Sequence, residues 1–109
     1  MQEKVLIVEG KSDRKRVKQV LDEDVDVICT YGTLSEEKLE TIILPIEDKD
    51  VYILVDADES GENLRRKLKR ELPNATHLYT LKEYGQVETT PHHYLAQILR
   101  GDFDVKEIF

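Results

Sequence analysis

Short apolar runs alternate along this chain with longer stretches in which apolar residues recur every three or four positions. Val5 to Val8 and Val51 to Val55 are unbroken apolar runs, the pattern of strands buried on both faces. Val25 to Thr30 and His77 to Leu81 are weaker runs that predict a second and a fourth strand. Val17, Val20 and Leu21 share one face of a helix that Ser12 or Asp13 can cap and that Asp22-Glu23-Asp24 ends. Ser35 can cap a second helix with Glu36 and Glu37 in its first turn and Leu39, Ile42 and Ile43 inside, terminated by Pro45. Leu64, Leu68 and Leu72 predict a third helix from about Ser60 to Leu72, stopped by Pro73-Asn74. Thr90-Pro91 opens a fourth helix, which buries Tyr94, Leu95, Ile98 and Leu99 and ends before Gly101. Val105 to Phe109 reads as a last short strand or a docked tail.

Strand then helix, four times over with short connections, predicts an α/β domain: a mostly parallel four-stranded sheet flanked by helices, with right-handed crossovers. Its 109 residues, 39% of them hydrophobic, suffice for one domain spanning residues 1–109 with an ordinary core. The lone Cys29 ends an apolar run, cannot form an internal disulfide, and is read as a small buried residue. A reducing, cytoplasmic location is the simplest expectation. No run approaches the roughly 18 apolar residues of a membrane span, and the amino terminus has no signal pattern.

The net charge of -7 argues against a protein that coats nucleic acid electrostatically. Its distribution is uneven. Ten of the 16 basic residues fall on two predicted helices: Lys11, Arg14, Lys15, Arg16 and Lys18, then Arg65, Arg66, Lys67, Lys69 and Arg70. Either these are solvated helix faces, or the first turns present Lys11, Arg14 and Arg65 to phosphates near a metal.

The second reading is prompted by the acids. The strand Val51 to Val55 runs directly into Asp56, Asp58 and Glu59, and the strand Val5 to Val8 runs into Glu9-Gly10-Lys11. Parallel sheets bind ligands at the carboxyl edge of their strands. If the two strands are neighbours, Glu9, Asp56 and Asp58 form one cluster. Two such charges about 4 Å apart repel by about 4 kcal/mol at an effective dielectric near 20, roughly three pKa units. The cluster must share a proton or hold a cation, and all-oxygen ligands suit Mg²⁺, with Mn²⁺ as a substitute. Zinc is disfavoured: the imidazoles are His77, His92 and His93, and the adjacent pair points apart on a helix. A metal flanked by helix amino termini and basic side chains is a phosphate site, and phosphoryl transfer is its natural chemistry, with Glu9 moving the proton.

Val5-Leu6-Ile7-Val8-Glu9-Gly10-Lys11-Ser12-Asp13 and Leu54-Val55-Asp56-Ala57-Asp58-Glu59-Ser60-Gly61-Glu62-Asn63-Leu64-Arg65 resemble the two motifs of the Toprim domain. That module is shared by topoisomerases, bacterial primases, OLD-type nucleases and the ribonuclease that matures 5S ribosomal RNA. The likeness covers most of the chain and is greatest to small stand-alone Toprim proteins and to the Toprim half of that ribonuclease. It implies a Rossmann-like three-layer fold, Mg²⁺ on Asp56 and Asp58, Glu9 as general acid or base, Glu62 supporting the metal, and Lys11 and Arg65 approaching phosphate. Gly10, Gly32 and Gly61 fall at the turns where the resemblance places glycine. The substrate it implies is nucleic acid, RNA or DNA being left open.

Two other resemblances fail on length: a HAD phosphatase needs distal motifs that the residues after Asp58 leave no room for, and a receiver domain needs a further strand-helix pair. A non-catalytic Toprim module that binds Mg²⁺ and a nucleic-acid or protein partner remains the alternative to a nuclease. Among the tyrosines, Tyr52, Tyr79 and Tyr94 are assigned to packing, which leaves Tyr31 and Tyr84 in loops for base stacking.

Overall fold

An apolar run with no polar face needs a hydrogen-bonding neighbour on each side and cover above and below. In the computed structural model, which describes residues 3–32 and 34–107, the two strongest runs take the two central positions of a four-stranded sheet. The strands are β1 (Lys4–Val8), β2 (Asp26–Cys29), β3 (Asp50–Leu54) and β4 (Thr76–Leu78), in the order β2-β1-β3-β4. Every pairing is parallel, with Val5 opposite Asp26 and Val51, and Ile7 opposite Ile28 and Ile53.

Side chains alternate across the two central strands and feed two separate cores. Leu6, Val8 and Leu54 pack with Val17 and Val20 of α1 (Lys11–Val20) and with Leu95 and Leu99 of α4 (His92–Arg100). Val5, Ile7, Val51 and Ile53 pack on the other face with Leu64 and Leu68 of α3 (Glu59–Glu71) and with Ile43. The result is the three-layer arrangement implied by the resemblance. Cys29 lies in the first core, 5% exposed, as expected of a small apolar residue.

Several boundaries differ from the sequence reading, each for a local reason. β4 covers Thr76–Leu78 rather than His77 to Leu81, because its only neighbour, β3, supplies pairing no further than Leu54 opposite Leu78. Tyr79 is therefore outside the sheet and 56% exposed, which corrects its assignment to packing. β2 loses Val25 and Thr30 at its ends, although the Thr30 N–H still donates to Val8 O at 3.1 Å. α1 is capped at Gly10, not at Ser12 or Asp13, and the Asp13 carboxylate reaches back to accept the Gly10 N–H at 3.0 Å. α3 begins at Glu59, capped by Asp58, and α4 begins at His92, with Thr90 donating its hydroxyl to Gln86 O at 2.7 Å.

Pro45 does not end the second helix. That helix starts as α2 (Glu36–Lys38), with Ser35 Oγ accepting the Lys38 N–H at 3.2 Å, and widens to a π-helical turn over Leu39–Ile43 before a 3-10 turn over Leu44–Ile46. A proline has no N–H, and its ring crowds the carbonyl four residues back, so the winding changes ahead of it and Leu44 N–H bonds Leu39 O. Beyond α4 the chain docks against the end of α1. Leu21 and Val105 form an antiparallel bridge, Asp22 N–H donates to Asp104 O at 2.8 Å and Lys106 N–H to Val20 O at 2.9 Å. Of the predicted tail, Ile108 and Phe109 lie outside the described residues. No helix among those described is long and apolar enough to cross a membrane.

This strand order has one topological switch point. β1 leads through α1 to β2 on one side, and β3 leads through α3 to β4 on the other, so the crevice outside the carboxyl ends of β1 and β3 is where such a sheet takes ligands.

Candidate functional site

Glu9, Asp56 and Asp58 reach that crevice because they follow the last residues of the two central strands. β1 and β3 are paired, so Glu9 and Asp56 are brought together: the Asp56 N–H donates to Glu9 Oε1 at 2.8 Å. Asp56 Oδ1 accepts the Val87 N–H at 2.9 Å, and Asp58 Oδ1 accepts the Gly61 N–H at 2.7 Å as the cap of α3. Each backbone donor thus engages one oxygen of one carboxylate and orients it.

Gly61 is what allows this approach. A Cβ there would stand 1.9 Å from the Asp56 carbonyl oxygen, so the first turn of α3 rests on the strand end without any side chain between them. Gly61, expected at a turn, lies inside the helix, where its role is close contact. Of the three glycines expected at turns, Gly32, with φ 104, is the one whose backbone conformation favours glycine. Gly10 has an extended backbone, and a Cβ there would meet only Asp13 Oδ2 at 3.9 Å.

The acids are electrostatically costly where they stand. Burial raises the Glu9 pKa, and the charges of Asp56, Asp58 and Asp13 add to it against the Asp56 N–H hydrogen bond. Burial raises Asp56 too, and Asp58 and Glu88 add to it against the bond from Val87. Asp13, expected as a helix cap and as the end of the first motif but not as a site residue, belongs to the same field. It is 7% exposed and is pushed up to about 6, by burial first and then by Asp56, with the Gly10 N–H opposing and Glu88 adding a smaller push. Asp13 and Glu88 are the members that sequence reasoning missed. The signal for Asp13 was present, since an acid three residues into a helix after an acid-glycine turn folds back on that turn. Glu88 had none, because its loop is placed only by tertiary contacts.

That loop is a strap across the strand end. Ala57 N–H donates to Gly85 O at 2.6 Å, Gly85 has φ 68, and the Val87 N–H closes on Asp56 two residues later. Tyr84 of the strap packs on Tyr94, ring centroids 5.3 Å apart.

The expected cations divide. Lys11 is exposed on the first turn of α1 and Arg14 is partly buried one turn on. Arg65 is 2% exposed and turned to β4: Nη2 donates to Leu78 O at 3.1 Å, Nη1 lies 2.9 Å from His77 Nδ1, and the guanidinium stacks 4.1 Å over the Tyr79 ring. Since guanidinium only donates, His77 Nδ1 is the acceptor and the ring is neutral. Burial, then the Arg65 charge, lowers the His77 pKa in agreement. This placement gives Arg65 a structural task at β4. Glu62, expected beside the metal, has its Oε1 3.7 Å from Arg65 Nε. His93 is exposed, and His92 is partly buried with Nε2 2.9 Å from Gln19 Oε1.

Among the described residues no group of three or more His, Cys, Asp or Glu is arranged to enclose a metal ion. The donor chemistry nevertheless fits a hard cation. Acids from two adjacent strand ends are brought together, and Glu9 and Asp56 are held above their usual range by burial first and then by neighbouring carboxylates. A cleft of about 490 Å³, lined by Glu9, Gly32, Asp58, Ser60, Asn63 and Lys67 among others, opens directly beside them. A larger cleft of about 620 Å³ lies at the opposite end of the sheet, where β3 begins, and none of these acids lines it.

The Toprim domain family matches residues 4–90, which takes in both acid-bearing strand ends and the strap. The chain is 51% identical over 108 residues to the Bacillus subtilis (strain 168) protein YusF, covering 98% of this chain and 74% of that one. It is 33% identical over 81 residues to ribonuclease M5 of Fusobacterium nucleatum and 36% identical over 76 residues to ribonuclease M5 of Mycoplasma genitalium. Those matches cover 74% and 69% of this chain but only 44% and 42% of the two ribonucleases. A solved small TOPRIM domain protein from Bacillus stearothermophilus superposes with a TM-score of 0.89 at 48% identity, covering 97% of this chain and 91% of the other. With the sheet order, the paired acids at its switch point and the family match over most of its length in agreement, the chain belongs to the Toprim family.

Proposed function

We propose that this protein carries out Mg²⁺-dependent phosphodiester cleavage on nucleic acid at Glu9, Asp56 and Asp58. The observation that carries the reading is the hydrogen bond between the Asp56 N–H and Glu9, which joins acids from two strands at the switch point, with Asp58 two residues on. Ribonuclease M5 relatives support RNA as the first substrate class to test.

Asp56 and Asp58 would hold the metal, with Glu9 completing the acidic set. Mg²⁺ bound there would supply positive charge to a phosphate oxygen, and Mn²⁺ would satisfy the same oxygen donors. Glu9 is the proton carrier. It comes from a different strand than the aspartates, and its upward-shifted carboxyl is closer to neutral than an exposed glutamate. Lys11 and Arg14, on the first turns of α1, face incoming phosphate with opposite charge. The backbone donors on Asp56 and Asp58 hold both carboxylates in place before substrate arrives.

The test is incubation of end-labelled single- and double-stranded RNA and DNA with the protein in Mg²⁺, Mn²⁺ or EDTA, beside Asp56→Asn and Glu9→Gln. The expected result is metal-dependent cleavage, lost in Asp56→Asn and reduced roughly 10²–10⁴-fold in Glu9→Gln, the usual contribution of a general acid-base. No turnover on any substrate, with Mn²⁺ binding still detectable by paramagnetic broadening, would replace cleavage with a metal-binding accessory role.

A further inference from the structure

Tyr31 is, among the described residues, the one non-glycine residue with a left-handed backbone, φ 54, and it precedes Gly32 at φ 104. Its turn is held on several sides. Thr30 N–H donates to Val8 O at 3.1 Å, Tyr31 N–H to Glu9 O at 2.8 Å, and Lys38 Nζ donates to the carbonyls of both Thr30 and Tyr31. The side chain is 54% exposed.

The turn itself does not call for a tyrosine. Left-handed backbone disfavours a bulky residue, and asparagine or glycine would hold the same turn with less strain. Exposing an aromatic ring gains nothing from burial either. Strain fixed by surrounding hydrogen bonds is a property of sites that hold a side chain ready for a ligand. Tyr31 lies just past the carboxyl end of β2, next to β1, and its N–H bonds the backbone carbonyl of Glu9. A hydrogen bond with the Cys29 thiol, then burial, raises the phenol's pKa and anchors its hydroxyl end, while the Arg14 charge acts the other way, so the Arg14 cation shares this flank.

We infer that Tyr31 is a stacking platform for one unpaired base of the substrate strand, with Arg14 beside it for that nucleotide's phosphate. The inference rests on the reading of the acids as a nucleic-acid site and adds the form of the substrate. A single exposed ring stacks on a base whose face is free, as in a single-stranded segment, and not on bases already stacked in a duplex. Flanked on the other side by the cleft between Gly32 and α3, the acids then lie along the path of a single strand and not under a duplex.

The experiment uses phosphorothioate-protected single-stranded RNA and DNA oligonucleotides carrying 2-aminopurine, with duplexes of the same sequence, in Mg²⁺. Anisotropy reads affinity and fluorescence quenching reads stacking. Wild type is expected to quench 2-aminopurine in single strands. Tyr31→Asn is expected to lose the quenching and weaken binding roughly 5- to 150-fold, the range for loss of one aromatic-base stack, and Tyr31→Phe to retain both. Because asparagine suits the left-handed turn, Tyr31→Asn is also expected to melt no lower than wild type, which separates lost binding from lost folding. Binding and quenching by wild type that persist unchanged in Tyr31→Asn would overturn the platform and leave the nucleic-acid reading standing. Failure of wild type to bind any of these oligonucleotides would overturn that reading and the platform with it.

Discussion

The 1.9 Å approach of a would-be Cβ at position 61 to the Asp56 carbonyl makes Gly61 the glycine with the least room for a side chain among the described residues. Gly→Ala inside a helix ordinarily stabilises by up to about 1 kcal/mol. Here it forces backbone apart, and overpacking of that kind costs about 1–3 kcal/mol. Gly61→Ala is therefore expected to lower the urea midpoint, and a midpoint at or above wild type would show that α3 can move off the strand. Asp13 supplies a second test at this scale. Its folded pKa of about 6 lies above the ordinary aspartate value, so between those limits the native state binds more protons than the unfolded chain. Stability from this group is thus present at acid pH and is lost as pH rises to about 6. In EDTA, Asp13→Asn, which keeps an acceptor for the Gly10 N–H, should gain stability over wild type at pH 7 and lose that advantage near pH 4. His77 titrates with the opposite sign in the same region, and it cancels in the difference between the two proteins.

At the scale of elements, α3 is tied to the sheet at both ends of its first two turns: by Gly61 against the Asp56 carbonyl just past β3, and by Arg65 on β4. The Arg65 guanidinium is buried among Leu78 O, His77 and Tyr79, and lysine cannot reproduce two diverging donors. Arg65→Lys is expected to cost roughly 1.5–3 kcal/mol, the range for hydrogen bonds to a charged group. A residue that contacted phosphate instead would leave the urea midpoint unmoved and weaken only substrate binding. The two helix-borne basic clusters looked alike as sequence, but burial of one member of the second separates them. The elements themselves were legible because their apolar periods differ. Their ends shifted where tertiary partners ran out, as at β4, or where one residue served two roles, as with Asp58.

Across the whole molecule, gathering Glu9, Asp13, Asp56, Asp58 and Glu88 into one field of a chain with net charge -7 disfavours the folded state, a cost that the proposed cation would offset. A ligand that binds only the native state at 100 times its dissociation constant adds about 2.7 kcal/mol. For a domain of this size that corresponds to a rise in Tm of roughly ten degrees or more. Mg²⁺ is expected to produce such a rise in wild type and little in Asp56→Asn. An equal rise with NaCl at matched ionic strength would mean general screening and no bound metal.

By itself the sequence determined the fold class, the two central strands and the acids that end them, because an apolar run has one way to satisfy its backbone and its successor must emerge at the strand's carboxyl edge. It also carried the family, since both motifs are local. Only the tertiary structure decided which strands are neighbours, and hence that Asp56 hydrogen-bonds Glu9. The same holds for the folding back of Asp13 into the acidic field, the closing of the Gly85–Val87 strap on Asp56, and the burial of Arg65. Each of these depends on contacts between residues far apart in the chain, and such contacts leave no periodicity behind for a local pattern to reveal.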